Sequence, residues 1–460
     1  MHQTVVVNVV GLTTDLLSAE HTPSLWALAK DGAQRPIETI LPAVTCSVQS
    51  TFLTGALPSQ HGIVGNGWYF RDVAEVLFWR QSNHLVTAEK VWETAKKRDA
   101  SFTCAQMFWW FNMHSSADVA VTPRPLYPSD GRKIPDIYTE PKELRDELIQ
   151  RLGQFPLFHF WGPKADIIST DWIASSSLDV FDRKNPTLSL IYLPHLDYNL
   201  QRLGPDDPKV KDDVRAVDAV VGRIVDHVRA KGARVVVLSE YGITKVTGAI
   251  HINRALRDAK LLRIREELGT EKLDAGGSEA FAVVDHQVAH VYVKKKERIP
   301  EVKRLIEQLA GVERVLEGDA KRQAGLDHPR SGELVAISNA DRWFSYYFWN
   351  DDRLAPDYAR TVDIHRKPGY DPVELFVDPK IPFPALKVGL RLAQKRLGFR
   401  YLMDVIPLDT SLVKGSHGRL TERLEAGPVL ISSEGRFMPE RRGVPAADVK
   451  ALLMRHLFDA

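Results

Sequence analysis

Two cysteines in 460 residues, Cys46 and Cys104, exclude a disulfide framework, and with no Cys-x-x-Cys pair they exclude the common thiolate zinc sites as well. No apolar run is long enough to span a bilayer as a helix. Charge of one sign is also lacking: 61 Lys and Arg against 59 Asp and Glu leave a net +2, which argues against a dominant polyanion-binding surface, so nucleic acid is not expected as a stable partner. Internal repeats and low-complexity segments are absent, which removes solenoids and disordered tails from consideration. Residues 1–10 carry neither the basic region nor the apolar core of a secretory signal, and a cytoplasmic location is the expectation that follows.

What is present is ordinary globular material, 44% hydrophobic and 26% charged, in a chain long enough for several domains or one large α/β domain with insertions. Thr4 to Val10 is a β-branched run ending at Gly11, which predicts a buried central strand. Thr22-Pro23 opens a helix to Asp31, closed by Gly32. Leu188 to Leu193 and Arg234 to Leu238 are further buried strands. Between them Val214, Val217, Val221, Ile224, Val225 and Val228 recur at helical spacing. Strand, helix, strand with polar residues after each strand is the rhythm of a mostly parallel sheet, whose ligands bind at the carboxyl ends of the strands. That places His195 and Asp197 after one strand and Glu240-Tyr241 after the next. Residues 121–142 are rich in proline and predict an irregular surface excursion; 279–350 predicts paired strands and a helix, and 353–416 a loop-rich return. The aromatic stretches at 68–79 and 108–111 fit core better than a stacking cleft, residue for residue.

The chain is organised around residues 41–66. A proline-led turn delivers Thr45, Ser47 to Thr54 predicts a short helix, and Gly55 its C-cap. A hydroxyl at a helix N-terminus sits where free N–H groups favour an anion, a suitable place for a nucleophile toward phosphate. A plainer reading makes Thr45 an N-cap and Asn66 part of a Gly-Asn-Gly turn. Cys46, directly after Thr45, is a second conceivable nucleophile, but no His-Cys pairing is legible locally.

Thr45 before a helix, Leu53-Thr54-Gly55, Pro58, His61-Gly62-Ile63-Val64 and Asn66 resemble the nucleotide pyrophosphatase/phosphodiesterase group of the alkaline phosphatase superfamily. The resemblance implies an α/β three-layer sandwich with a mostly parallel central sheet and an inserted α+β subdomain. Residues 1–250 would be the first part of the catalytic core, 251–400 the insert and return, and 401–460 the completion of the core. It implies Thr45 as the attacking group, Asn66 as a holder of a phosphate oxygen, and two divalent metal ions, zinc by expectation. On that pattern Asp197, followed by Gly204-Pro205, and His417 in His417-Gly418 stand at metal-ligand positions. Four other positions depart: Gln201 replaces a histidine, Val10 the first-strand aspartate, and Glu240 and Tyr241 an Asp-His pair; the expectation is then one or two ions held by Asp197, His417 and Glu240, with Gln201 and Tyr241 as further candidate ligands. The expected function is therefore metal-dependent hydrolysis of a small phosphodiester, nucleotide pyrophosphate or phosphonate-type substrate through a phosphothreonine. The alternative is a non-catalytic phosphate-ester-binding or scaffold protein on the same fold. Of the remaining histidines, His251, His286, His290, His328 and His365, only His365 has neighbours, Arg366 and Lys367, suited to an anionic substrate; each is otherwise a hydrogen-bonded surface or core residue.

Overall fold

The computed structural model describes residues 1–129 and 132–460. The main sheet takes seven strands from residues 4–238: β1 (Thr4–Val9), β2 (Ala33–Glu38), β3 (Cys104–Met107), β4 (Val119–Pro123), β5 (Ile137–Glu140), β6 (Leu188–Leu193) and β7 (Arg234–Leu238). Four more, β8 (Ala280–Asp285), β9 (Val288–Val293), β10 (Val312–Leu316) and β11 (Leu334–Ser338), form a sheet of their own in the order β8-β9-β11-β10. The last two, β12 (Val429–Ser432) and β13 (Val444–Pro445), return to the main sheet, whose order is β13-β2-β12-β7-β1-β6-β3-β4-β5.

Strands β7, β1, β6, β3 and β4 run parallel, and β12 enters antiparallel beside β7. All six residues of β1 are buried, as two covered faces require, and they read as one β-branched apolar run broken only by Asn8. Helix α1 (Pro23–Asp31), α2 (Thr45–Thr54), α3 (Ile167–Lys184), α4 (His195–Leu203) and α5 (Val210–Arg229) follow in chain order. The valine and isoleucine stripe of α5 is buried, and the helix packs on α1, α3 and α4. The fold is thus mixed α/β around a large, mostly parallel sheet.

Three expectations need correction or refinement. Residues 121–142 are not simply an irregular excursion, because β4 and β5 pair antiparallel at the sheet edge with Val121 opposite Thr139. The prolines that suggested a loop fall in the connection or at strand ends, where a missing N–H costs little; Asp130 and Gly131 lie outside the described residues. Second, the carboxyl end of β6 that carries Asp197 runs straight on into helix, so that Asp197 lies in the first turn of α4. The residue after the strand, Pro194, turns directly into that helix. Third, the return at 353–416 contains a helix of 13 residues, Pro384–Arg396, hidden from a core-facing pattern because its apolar side faces outward.

Candidate active site

Helix α2 begins at Thr45 with Val44 extended before it, and Gly55 ends it at φ 67°, a left-handed cap that suits glycine. All ten helix residues are buried, so the hydroxyl of Thr45 is held in the interior. The next N–H, that of Cys46, is one of the free donors of the helix start; it donates to Asn66 Oδ1 at 3.0 Å. Asn66 is in turn fixed by Asp285, whose carboxylate accepts from the Asn66 backbone N–H at 2.6 Å and from its Nδ2 at 3.0 Å. One Nδ2 hydrogen of Asn66 remains to meet an anion.

Beside this cradle stands a chain of hydrogen bonds. The Tyr241 hydroxyl lies 3.2 Å from Thr45 Oγ1 and donates to Asp197 Oδ1 at 3.2 Å. Either hydroxyl can be the donor in the first of these contacts, and the Thr45 hydroxyl also bonds the Glu240 carboxylate. The sequence Thr45, Tyr241, Asp197 is a path along which a hydroxyl proton can leave. The other Asp197 oxygen accepts from Gln201 Nε2 at 2.7 Å, one turn along α4, and Gln201 also meets the Tyr370 hydroxyl at 3.1 Å. Glu240 adjoins this chain through the Thr45 hydroxyl, and its Oε1 accepts from Asn8 and from Gln49, each at 2.6 Å. Gln49 Oε1 in turn accepts from the Trp110 N–H at 2.8 Å.

Four rings form a column behind the chain. Tyr241 stacks on His417 with centroids 3.5 Å apart and planes 6° from parallel; His417 meets His286 at 3.6 Å, and His286 meets Tyr370 at 3.7 Å. His417 arrives on a turn that approaches α4 closely: a Cβ at Gly415 would sit 2.1 Å from the Leu200 carbonyl oxygen. Its Nδ1 donates to the Ala43 carbonyl at 2.8 Å, so Nε2 is the acceptor nitrogen, 3.9 Å from Asp197 Oδ1. Burial pushes Asp197, Glu240 and Asp285 each up to about 7 and holds the His417 imidazole neutral, down at about 3.

A divalent ion does not fit these donors as they stand. Both oxygens of Asp197 are already bonded, the phenol of Tyr241 lies against Asp197 and His417, and the buried atoms left without partners, His417 Nε2, His286 Nδ1 and Glu240 Oε2, are spread over three separate elements. Val10 is fully buried and offers no donor. Among the described residues no three His, Cys, Asp or Glu side chains are gathered to hold a metal. Asp197 and His417 are a pair where a bound ion needs a closed set.

The sequence brings Thr45, Asn66, Asp197, Gln201, Tyr241 and His417 into one connected site, with Glu240 on its flank. Sequence reasoning missed Asn8, Gln49, Asp285 and Tyr370 as parts of it, and gave His286 no role. The strand pair β8-β9 carried the available signal: its turn, with His286 at φ 61°, delivers Asp285 and His286 together. His365 is not brought in by any contact with these residues. Its basic neighbours are spent: Arg366 faces Asp363, and buried Lys367 meets Asp371 and Glu374 at 2.5 and 2.7 Å. His195 lies 3.1 Å from Asp213, His251 meets Ser345, and His290 bonds the Val64 carbonyl. Trp68, Phe78, Trp92, Phe108, Trp109 and Phe111 are core residues.

A helix start carrying the Thr45 hydroxyl at the carboxyl edge of a mostly parallel sheet, with a second sheet inserted late in the chain, is the arrangement of an alkaline phosphatase-like fold. Residues 4–371 match the model of the type I phosphodiesterase / nucleotide pyrophosphatase family, and the chain belongs to that family of hydrolases. An uncharacterized pyrophosphatase/phosphodiesterase of Schizosaccharomyces pombe is 26% identical over 251 residues, which are 52% of this chain and 44% of that relative. The chain thus spans less than half the length of that curated relative. Among solved structures, murine ectonucleotide pyrophosphatase/phosphodiesterase 5, an inactive variant in complex with AMP, is similar with a TM-score of 0.60 and 14% identity, covering 99% of this chain and 95% of that one. Phosphonoacetate hydrolase from Sinorhizobium meliloti, in complex with phosphonoformate, reaches 0.63 at 14% identity, covering 99% and 96%. At that identity the likeness is one of fold.

Proposed function

We propose that the chain cleaves a small phosphoric ester, of phosphodiester, nucleotide pyrophosphate or phosphonate type, by transferring the phosphorus group to Thr45 and from there to water. The observation that carries this reading is the Thr45 hydroxyl at the start of α2, hydrogen-bonded to Tyr241 beside a buried asparagine anchored by Asp285. Thr45 Oγ1 would attack phosphorus as the bond to the leaving oxygen or carbon breaks, its proton passing through Tyr241 to Asp197 while the leaving atom keeps the electron pair and takes a proton from water. The Asn66 amide and the helix start would hold the equatorial oxygens. Water would then displace Thr45. Family membership supports the reading, as does the murine neighbour, which binds AMP in a threonine-to-alanine form described as inactive. Divalent metals serve this family generally, but the donors here do not fit one, and the proposal gives a metal no step.

One observation favours a second reading, binding of a phosphate ester without turnover: neutral Gln201 and Tyr241 fill positions where the family resemblance implies histidines. A single experiment separates the two. Wild type and Thr45→Ala are incubated with bis(4-nitrophenyl) phosphate, a dinucleotide pyrophosphate and phosphonoacetate, then acid-quenched for peptide mass analysis. Turnover in the wild type with a phosphoryl adduct on the Thr45 peptide, and neither in the variant, is the expected result. No turnover of any substrate, with AMP bound equally by both proteins, would establish binding instead.

A further inference from the structure

Helix α6 (Ile299–Glu307) lies in the insert with its buried side on Val302 and Ile306, the usual arrangement. Helix α7 (Pro384–Arg396) has the opposite one. Phe383, Leu386, Leu390 and Leu397 follow one another at spacings of three, four and seven, with Ala393 between the last two, so they share one face. That face looks outward: the four large side chains are 71, 61, 59 and 74% exposed. The half-buried side holds Val388, packed on a cluster with Trp343 and Val405, together with Lys387 and Arg391, which meet Asp404 at 2.9 and 3.0 Å. Beyond the helix Phe399 and Leu402 continue the exposed apolar surface. A helix that turns its polar residues to the protein and its leucines to water has a partner elsewhere.

Charge selects that partner. Between Asp378 and Asp404 the chain has no carboxylate side chain and six cations, Lys380, Lys387, Arg391, Lys395, Arg396 and Arg400, while the rest of the chain is net acidic. Asp404 answers two of them; among the described residues Lys380, Lys395, Arg396 and Arg400 are in no ion pair. A second copy of the helix would oppose cations to cations. An anionic bilayer offers hydrocarbon to the phenylalanines and leucines and phosphate to the lysines and arginines, in the plane where amphipathic helices lie. We propose that residues 380–403 dock this protein on the surface of an anionic lipid bilayer. The helix lies on the surface and does not cross it, since no helix of the described residues is long and apolar enough to span a membrane.

The test is co-sedimentation of the full-length protein with vesicles of phosphatidylcholine alone or with about one third phosphatidylglycerol, at low and high salt. Wild type is compared with Leu386→Glu/Leu390→Glu and with Lys395→Glu/Arg396→Glu. These positions are on the surface, so unchanged thermal unfolding confirms that each variant folds. The expected result is binding to the anionic vesicles at least about tenfold stronger than to phosphatidylcholine, weakened by salt and lost by about tenfold or more in both variants. Equal partitioning into the two vesicle types, or variants that bind as wild type does, would overturn the proposal. So would a wild-type dimer in light scattering that the leucine variant abolishes, which would assign the face to a second copy.

Discussion

The two halves of the site have diverged to different degrees. On one side the turn, helix α2, Gly55 and Asn66 keep a helix start with a hydroxyl, a free amide hydrogen and a carboxylate anchor. On the other, the positions where metal ligands are expected hold Val10, buried in the core, and Gln201 and Tyr241, which are tied into a network of hydrogen bonds and stacked rings. A helix N-terminus exerts its pull on an anion through backbone groups that no side-chain change removes. A metal site depends on each donor separately, and replacing imidazole by a phenol or an amide dissolves it. The difference teaches that the helix-start half of the family pattern can stand without the metal-ligand half.

The comparison can be sharpened by changing one half at a time. The largest effect is expected at Thr45: Thr45→Ala should lower turnover of a responsive phosphodiester by about three orders of magnitude or more while leaving the melting temperature close to that of the wild type. Steady-state rates with a calorimetric scan check both. Asn66→Ala comes next. It removes the remaining anion-facing amide hydrogen and leaves the Cys46 N–H and Asp285 without their partner, so kcat should fall by about two orders of magnitude and stability by ~1–3 kcal/mol.

A smaller effect is expected from Asp285→Asn, and it depends on pH. Burial raises the Asp285 carboxyl from its usual 3.8 to about 7, so between those values the folded protein keeps a proton that the unfolded chain has released. Stability from this group therefore falls as pH rises through that window. Asparagine cannot ionise and escapes the fall. The difference in melting temperature between variant and wild type should move in the variant's favour on going from about pH 4 to about pH 8, by a few kcal/mol at most in unfolding free energy. The neutral histidines His286 and His417 act in the opposite direction but are common to both proteins and drop out of the difference. A pH-independent gap would show that Asp285 is ionised throughout.

The halves were also unequally legible in the sequence. The nucleophile turn is a local run, with proline, threonine, a short apolar helix and glycine in order, and each part has a meaning at fixed spacing. The parallel strands were equally plain, since a strand buried on both faces must be apolar throughout. Asn8, Gln49 and Tyr370 were not legible as site residues because nothing local distinguishes them, and Asp285, though it stands beside His286 in the β8-β9 turn, had no local tie to Asn66; only the fold brings them together. Helix α7 was missed for another reason. Its period is regular, but within a stretch dense in proline and charge an outward-facing apolar stripe does not resemble a core element.

Zinc binding tests the account's central claim most directly. Zinc is titrated calorimetrically into wild type, into Tyr241→His/Gln201→His, and into Asp197→Ala, with elemental analysis of each protein as purified. The account predicts no stoichiometric tight zinc in the wild type and a clear gain, about tenfold or more in affinity, when the two imidazoles are supplied. About one or two tightly held ions in the wild type, lost in Asp197→Ala, would contradict it and return the Asp197 and His417 half to a working metal site.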